Sequence, residues 1–235
     1  MSRKILFVLL MALLTATLMA GCGNEKTQPA AGMIKVETQK VQEKSEAIEV
    51  SLQIPVISGL RDTSLQTELN DTFAQKALEL KKNLEAQARE DQKNQGELFH
   101  TYSVVTSFTV PYNKNGLLSI NVEYGTYTGG AHGMTYRETL NIDTESGKKL
   151  QIGDFFKPDE NYRMLVTQEI KKQIEANRDM YFPDALDTLK PIEQDQPFYI
   201  GGDDHIVVYY GLYEIAPFAA GMPEFKIPAA HPQAG

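Results

Sequence analysis

Residues 102–124, YSVVTSFTVPYNKNGLLSINVEY, decide the fold class of this chain because apolar and polar side chains alternate along them. The alternation runs through Val104 and Phe108, stops at the polar turn sequence of residues 113–116, and resumes through Ile120 and Val122. A period of two residues is typical of a strand with one buried face, and Asn-Gly between two such runs favours a tight turn. The stretch therefore predicts an antiparallel β-hairpin.

Further strands are predicted on both sides of this hairpin. Residues 34–41 and 47–54 are β-like stretches separated by polar residues, which predicts a second hairpin. The alternation continues from Met134 to Ile142, so three central strands should form an antiparallel meander. The C-terminal strands are predicted at 198–200, at 205–210, and around Phe225 and Ile227, where flanking prolines favour an edge position.

Two amphipathic helices are predicted, at about 62–92 and 159–178. In the first, apolar residues recur at spacings of three and four, and Thr63 to Gln66 fits a capping box. The apolar stripe of this helix consists of Leu65, Leu69, Phe73, Ala77, Leu80, Leu84 and Ala88. Two main helices and roughly eight strands, without regular βαβ alternation, predict an α+β fold built on antiparallel sheet.

The composition limits the classes of function. The 235 residues include 23 lysines and arginines against 31 acids, a formal net charge of −8, which argues against nucleic-acid binding. A single cysteine, Cys22, excludes an internal disulfide framework and a cysteine-rich zinc site. No cofactor is predicted.

The N-terminus has the pattern of a secretion signal. Arg3 and Lys4 precede a charge-free run over residues 5–20, shorter than the ~20 residues of a membrane span and typical of a signal peptide. Residues 18–21, LMAG, stand directly before Cys22 and are similar to the lipobox of bacterial lipoproteins. That similarity implies cleavage before Cys22, acylation of this residue with palmitate-type chains, and an extracytoplasmic location on a bacterial membrane. An uncleaved membrane anchor is the alternative interpretation. Loss of residues 1–21 would change the net charge to −10, because Arg3 and Lys4 are lost with them.

A glycine-rich run gives the chain a family resemblance. Residues 124–133, YGTYTGGAHG, closely resemble a signature of RsiV-like and PdaC-like extracytoplasmic domains, a family largely of unknown function. The same resemblance extends to residues 54–60, IPVISGL, and to residues 213–221, YEIAPFAAG. It implies a PdaC-like half over 34–140 and an RsiV-like half over 141–228, packed as one α+β unit. Residues 1–21 would then be the signal peptide, 22–33 a lipidated tether and 229–235 a tail.

The resemblance also implies a function. RsiV-like domains act as receptors for lysozyme, so the expected partner is a lysozyme-like hydrolase or a cell-wall component such as peptidoglycan. The residues expected to bind it belong to the glycine-rich loop, and they are Tyr127, Thr128, Gly129, Gly130, His132 and Gly133. Neither a sigma-binding segment nor a deacetylase domain is seen beside the module, so a non-enzymatic binding or sensing module on a lipid anchor is expected.

Three other interpretations stay open from the residues alone. The first is a cell-envelope hydrolase that uses His132 with Glu123, Asp143 or Asp154 as the orienting carboxylate. The second is a purely structural role, in which His132, flanked by glycines, fixes a turn through backbone hydrogen bonds. The third is a structural protein that pairs with its own copies. The tyrosines of residues 199–213 could form a sugar-binding platform, but strand tyrosines half in the core are commoner. No catalytic residue and no metal site is predicted, since residues 202–205, GDDH, fit a β-turn better than a metal motif.

Overall fold

A computed structural model of the chain describes residues 33–230. The predicted signal peptide, Cys22, the tether up to residue 32 and residues 231–235 lie outside the described residues. Within that range the fold is α+β, with eight strands in two sheets, two main helices and one short one. The strands are β1 (Lys35–Lys44), β2 (Ile48–Ser58), β3 (Tyr102–Lys114), β4 (Leu117–Tyr127), β5 (Met134–Asp143), β6 (Phe198–Gly202), β7 (His205–Tyr209) and β8 (Glu224–Pro228). The helices are α1 (Thr63–Gln95), α2 (Tyr162–Ala176) and α3 (Ala185–Thr188).

The first sheet contains β1 to β5 in sequence order. The predicted central hairpin is confirmed, and its turn places Asn115 at φ 55° and Gly116 at φ 74°. Two consecutive left-handed residues are what a type I′ hairpin turn requires, and Asn-Gly supplies them at little steric cost. The predicted hairpin of β1 and β2 and the antiparallel β3-β4-β5 meander are confirmed as well.

The prediction of a purely antiparallel sheet is wrong at one junction. Strands β2 and β3 pair in parallel, with Ile48 beside Tyr102 and Leu52 beside Thr106. Parallel neighbours need a crossover connection, and α1, about 50 Å long at 1.5 Å per residue, provides it. The first sheet is therefore mixed.

Helix α1 covers the first sheet and begins one residue later than predicted. Its apolar stripe packs on β2 and β3, and its buried residues are Leu69, Phe73, Ala77, Leu84 and Ala88. The predicted capping box is wrong. The cap is Asp62, whose carboxylate accepts from the N–H groups of Ser64 at 2.9 Å and Leu65 at 3.0 Å, while Gln66 accepts from the N–H of Leu60 at 3.2 Å.

The second sheet has β7 between β6 and the edge strand β8, as the flanking prolines predicted. It packs with α2, whose extent is shorter at both ends than the predicted 159–178. Val166, Ile170 and Ile174 of α2 are buried against it and form a second apolar core beside the one under α1.

A layer of polar contacts joins the two sheets. The side-chain amide of Asn141 on β5 donates to the Phe198 carbonyl on β6 at 2.8 Å, and its oxygen accepts from Ser119 on β4 at 2.7 Å. Ser119 in turn accepts from the N–H of Ile200 at 3.3 Å. Asn141 and Ser119 are buried, so each hydrogen bond replaces water that these groups have lost.

Asn113 fixes the beginning of the described chain to the end of β3, just before the turn into β4. Its side chain accepts from the N–H of Ile34 at 3.0 Å and donates to the Ile34 carbonyl at 2.6 Å. None of the helices within residues 33–230 has the length and apolar composition needed to cross a membrane.

Candidate functional site

The glycine-rich loop connects β4 to β5, and two of its glycines are required by the backbone. Gly129 has φ 83°, a region that side chains disfavour, and a Cβ there would also lie 3.3 Å from the Cβ of His100. At Gly133 a Cβ would stand 2.7 Å from the Thr126 carbonyl oxygen, closer than real contacts allow. Gly130 has open space where its Cβ would be, and nothing in the structure explains a glycine there.

His132 lies on the outside of this loop and holds three contacts. Its Nδ1 is 2.9 Å from the Gly133 carbonyl oxygen, and its Nε2 is 3.0 Å from the Tyr213 hydroxyl. A neutral ring satisfies both when Nδ1–H donates to the carbonyl and Nε2 accepts from the tyrosine. The ring also stacks on Phe218, with centroids 3.8 Å apart and planes 17° apart.

The segment after β7 supplies the two aromatic partners. Tyr213 has φ 64°, an uncommon backbone conformation for a tyrosine that surrounding contacts must maintain. The Glu214 carboxylate accepts from the N–H of Gly211 at 2.7 Å, and buried Ile215 and Ala216 anchor the segment. Tyr213 and Phe218 are thereby both brought against His132, and we call these three residues the aromatic cluster.

The structure brings only part of the predicted loop to the surface. Thr128, Gly130 and His132 are exposed, whereas Tyr127 and Gly129 are half-buried and serve the turn. Sequence reasoning did not join Tyr213 and Phe218 to His132, since 81 residues separate Tyr213 from it. A signal was present, because both aromatic residues belong to the YEIAPFAAG run that carries the same resemblance as the loop.

The carboxylates considered for a hydrolase bind other partners than His132. Glu123 pairs with Arg137 at 2.8 Å, and Asp154 pairs with Lys148 at 2.6 Å. Asp143 closes the turn after β5. Burial of Asp143 works against its ionisation, but the Ser146 N–H and hydroxyl and the Glu145 N–H outweigh burial and lower its pKa. Within residues 33–230 no carboxylate hydrogen bonds to His132.

The GDDH run forms the predicted turn between β6 and β7, and its polar groups have structural partners. Asp203 accepts from Tyr112 at 2.8 Å and Lys114 at 2.7 Å, and Asp204 lies 2.6 Å from the His205 ring. Gly202 and its neighbour Gly201 leave room for that ring, since a Cβ at either would be 2.6 Å or less from it. No grouping of three or more metal-binding side chains occurs in the described part of the chain.

Two of the tyrosines considered as a sugar platform flank a half-buried arginine instead. Arg137 donates to Glu123 on β4 and to Glu224 on β8, and it lies 5.0 Å from the Tyr209 ring and 6.0 Å from the Tyr199 ring. Tyr199 donates to Glu224 at 2.9 Å. Burial, then the hydrogen bond to Glu224, raises the pKa of Tyr199 to about 12. This cluster connects the two sheets.

Comparisons with known proteins find two family models that match different parts of the chain. The family model described as Deacetylase PdaC matches residues 41–135, and the model of a protein family of unknown function, DUF3298, matches residues 153–230. The anti-sigma-V factor RsiV of Bacillus subtilis is 27% identical over 198 residues, which cover 80% of this chain and 66% of RsiV. The peptidoglycan-N-acetylmuramic acid deacetylase PdaC of the same organism is 29% identical over 120 residues, 50% of this chain and 26% of PdaC. The chain carries an RsiV/PdaC-like domain.

Solved structures share the fold of the RsiV/PdaC-like domain. A DUF3298 family member from Bacteroides fragilis superimposes with a TM-score of 0.62 at 24% identity, covering 84% of this chain and 91% of that one. A DUF3298 family protein from Pseudomonas aeruginosa gives a TM-score of 0.54 at 22% identity, covering 83% and 89%. At these identities the likeness shows the fold alone.

The aromatic cluster of the RsiV/PdaC-like domain lies where its two matched parts meet. His132 belongs to the part matched by the PdaC model, and Tyr213 and Phe218 belong to the part matched by DUF3298. The contacts of His132 with Tyr213 and Phe218 bring two motifs that are distant in the sequence together at one place on the surface.

Proposed function

We propose that this chain is a lipid-anchored extracytoplasmic sensing module that recognises a lysozyme-like hydrolase or a cell-wall component and is not an enzyme. The aromatic cluster carries the proposal. It is formed by both matched parts of the domain, its His132 and Tyr213 are exposed, and within residues 33–230 no carboxylate hydrogen bonds to the His132 ring.

The similarity to the anti-sigma-V factor RsiV supports a sensing role, because an anti-sigma factor transmits a signal instead of converting a substrate. The acidic composition suits a basic partner, since opposite net charge accelerates encounter. Tyrosine, histidine and phenylalanine side chains also suit stacking on sugar rings.

The anchor is proposed from Cys22 and the apolar run before it. Attachment through two or three acyl chains would be stable, because each buried CH₂ contributes about 0.8 kcal/mol. Replacement of Cys22 by alanine should move the protein from the membrane fraction to the soluble fraction and abolish labelling with palmitate. Unchanged fractionation and labelling would contradict the anchor.

Recognition is tested by pull-down of a protein that spans residues 22–235 with lysozyme and with purified peptidoglycan. Retention on one of them is expected, and His132→Ala and Phe218→Ala should each weaken it about tenfold or more by removing a stacked ring. Leu78→Ala is the matched control, because Leu78 is 43% exposed and lies on α1, outside the loop and the segment that form the aromatic cluster.

Three outcomes would contradict the proposal. Folded protein retained on neither material would remove the binding function. Turnover of peptidoglycan that His132→Ala abolishes at unchanged melting temperature would show a hydrolase. Light scattering that shows the domain to be a stable self-associated assembly, with no retention on either material, would show a structural protein.

A further inference from the structure

Strand β5 is an edge of the first sheet, and its backbone alternates between paired and outward groups. The Leu150 N–H donates to the Asn141 carbonyl at 2.9 Å, and the Asp143 N–H donates to the Lys148 carbonyl at 3.0 Å. The odd-numbered residues of β5 therefore direct their backbone away from β4. By this alternation Thr135, Arg137 and Thr139 also present N–H and C=O groups outward.

The outward groups before Asn141 lack sheet partners in the structure. Within residues 33–230 the contact made by this stretch of edge is from the Tyr209 hydroxyl to the Arg137 carbonyl, at 3.3 Å. An edge of this kind is a template for an added strand unless charges or prolines protect it. The opposite edge strand, β1, carries such protection in Lys35, Lys40 and Lys44.

The side chains of β5 do not protect its edge in the same way. Residues 134–140 contain no lysine and no proline, and their two ionic side chains are held in pairs. Arg137 binds Glu123 of the neighbouring strand β4 and Glu224 of β8 in the second sheet, and Glu138 binds Lys76 of α1. The backbone edge is thus left open.

A groove of about 510 Å³ runs along this edge. Lys76 of α1 forms part of one wall, and Gln196, Pro197 and Phe198 form part of the other. The groove is closed near Asn141 by the hydrogen bond of 2.8 Å between the side chains of Gln194 and Gln151. From Thr135 to Thr139 the open edge extends about 13 Å, at 3.3 Å per residue.

We propose that this groove binds an extended, uncharged peptide segment of a partner protein, which adds to β5 as a sixth strand. The segment would pair with the outward backbone groups of Arg137 and Thr139, which line the groove, and with those of Thr135 just beyond it. This is the interaction mode of β-strand addition. Amide and apolar side chains line much of the groove, and the charges of its five ionic residues are balanced. Lys76 pairs with Glu138, and Arg137 pairs with Glu123 and Glu224. The other two, Lys149 and Asp195, carry opposite charges, so the groove favours an uncharged occupant. A second copy of this chain fits poorly, because the residues that form the groove walls on either side of its own β5 would collide with the same walls of the first copy.

The proposal is tested on the folded domain with heptapeptides selected from a random phage-displayed library. Thr139→Pro removes the outward N–H of Thr139 and leaves the inward hydrogen bonds of β5 to β4. Thr139→Ala is the matched control, since it also loses the hydroxyl contacts with Asn121 and Tyr209 but keeps the N–H. Selected peptides should bind Thr139→Ala within about threefold of the wild type and Thr139→Pro at least about tenfold more weakly.

A second pair of variants, Thr135→Pro and Thr135→Ala, repeats the comparison if Thr139→Pro does not fold. Hydrogen exchange of the Arg137 and Thr139 amides in the wild type should slow at least tenfold on addition of peptide, and His132→Ala should leave peptide binding unchanged. Equal binding to the proline and alanine variants, or failure to select any peptide, would overturn the proposal. Self-association of the domain that Thr139→Pro abolishes would overturn it in favour of a second copy.

Discussion

At the scale of single residues, the glycines of the β4–β5 loop differ in what they do for the structure. Gly133→Ala should destabilise the domain by roughly 1–3 kcal/mol, because its Cβ would stand 2.7 Å from the Thr126 carbonyl oxygen and the loop must shift. Gly130→Ala is the matched control, and its free energy of unfolding should change by less than about 0.5 kcal/mol, since nothing occupies the space of its Cβ. Denaturant unfolding of both variants measures the difference. Equal losses would show that the loop has another conformation.

A buried hydroxyl gives a second expectation at this scale. Tyr124 is 1% exposed, its hydroxyl has no hydrogen-bond partner among residues 33–230, and its ring stacks on Tyr136 with centroids 4.9 Å apart. Tyr124→Phe should therefore be neutral or should stabilise the domain by up to about 1 kcal/mol, since an unpaired buried hydroxyl costs free energy. Tyr209→Phe is the contrast, because its hydroxyl bonds to Thr139 at 2.8 Å and its loss should cost about 1 kcal/mol. Thermal unfolding of the two variants compares them, and a clear loss for Tyr124→Phe would be contrary to this reasoning.

At the scale of elements, the turn after β5 depends on an ionised carboxylate. Burial opposes ionisation of Asp143, but the hydrogen bonds from Ser146 and Glu145 outweigh burial, and its pKa in the folded state lies below the ordinary value of 3.8. A depressed pKa contributes stability that is present above pH 3.8 and is lost as the pH falls through the lower folded value. Asp143→Asn should lower stability at pH 7 by about 1 kcal/mol and should flatten the loss of stability below about pH 4. Denaturant unfolding between pH 2.5 and 7 measures both slopes, and parallel curves would contradict a role for the Asp143 charge.

The elements also show what local sequence can predict. Alternation from Val104 to Val122 and the Asn115-Gly116 pair specify two strands and their turn, because these preferences act over a few residues. The same pattern does not specify which strand lies beside β3, since alternation shows which side chains share a face of the sheet but not which strands are hydrogen-bonded neighbours. Strands β2 and β3 pair in parallel, and Asp62 caps α1 in place of the predicted capping box. Both features depend on how α1 packs on the sheet.

The candidate site was predictable to a similar extent. The loop of residues 128–133 was found through its glycines and its family resemblance, both of which are local in the sequence. The stack of His132 on Phe218 and the pairing of Arg137 with Glu224 join residues more than 80 positions apart, and they exist only once the two sheets have met. No short-range preference encodes such contacts.

At the scale of the whole molecule, the two apolar cores are connected by a polar layer. Asn141→Ala should cost about 2 kcal/mol, because it leaves the Phe198 carbonyl and the Ser119 hydroxyl without their partner in a buried place. Since this contact spans both sheets, hydrogen exchange should accelerate equally in β4 and in β7. Asn121→Ala is the control, because Asn121 is equally buried at 6% exposure and its bond to Thr139 stays within the first sheet. Acceleration confined to one sheet in Asn141→Ala would show that the two cores unfold independently.

The clamp of Asn113 on Ile34 determines how the domain would present itself if it is held from its N-terminal side. The clamp is at the end of β4 that begins with Leu117, and the aromatic cluster follows the other end, at Tyr127. Eleven strand residues separate the two ends by about 33 Å. A chain attached to a surface ahead of Ile34 would then carry the loop of His132 at the end of β4 that lies farther from that surface.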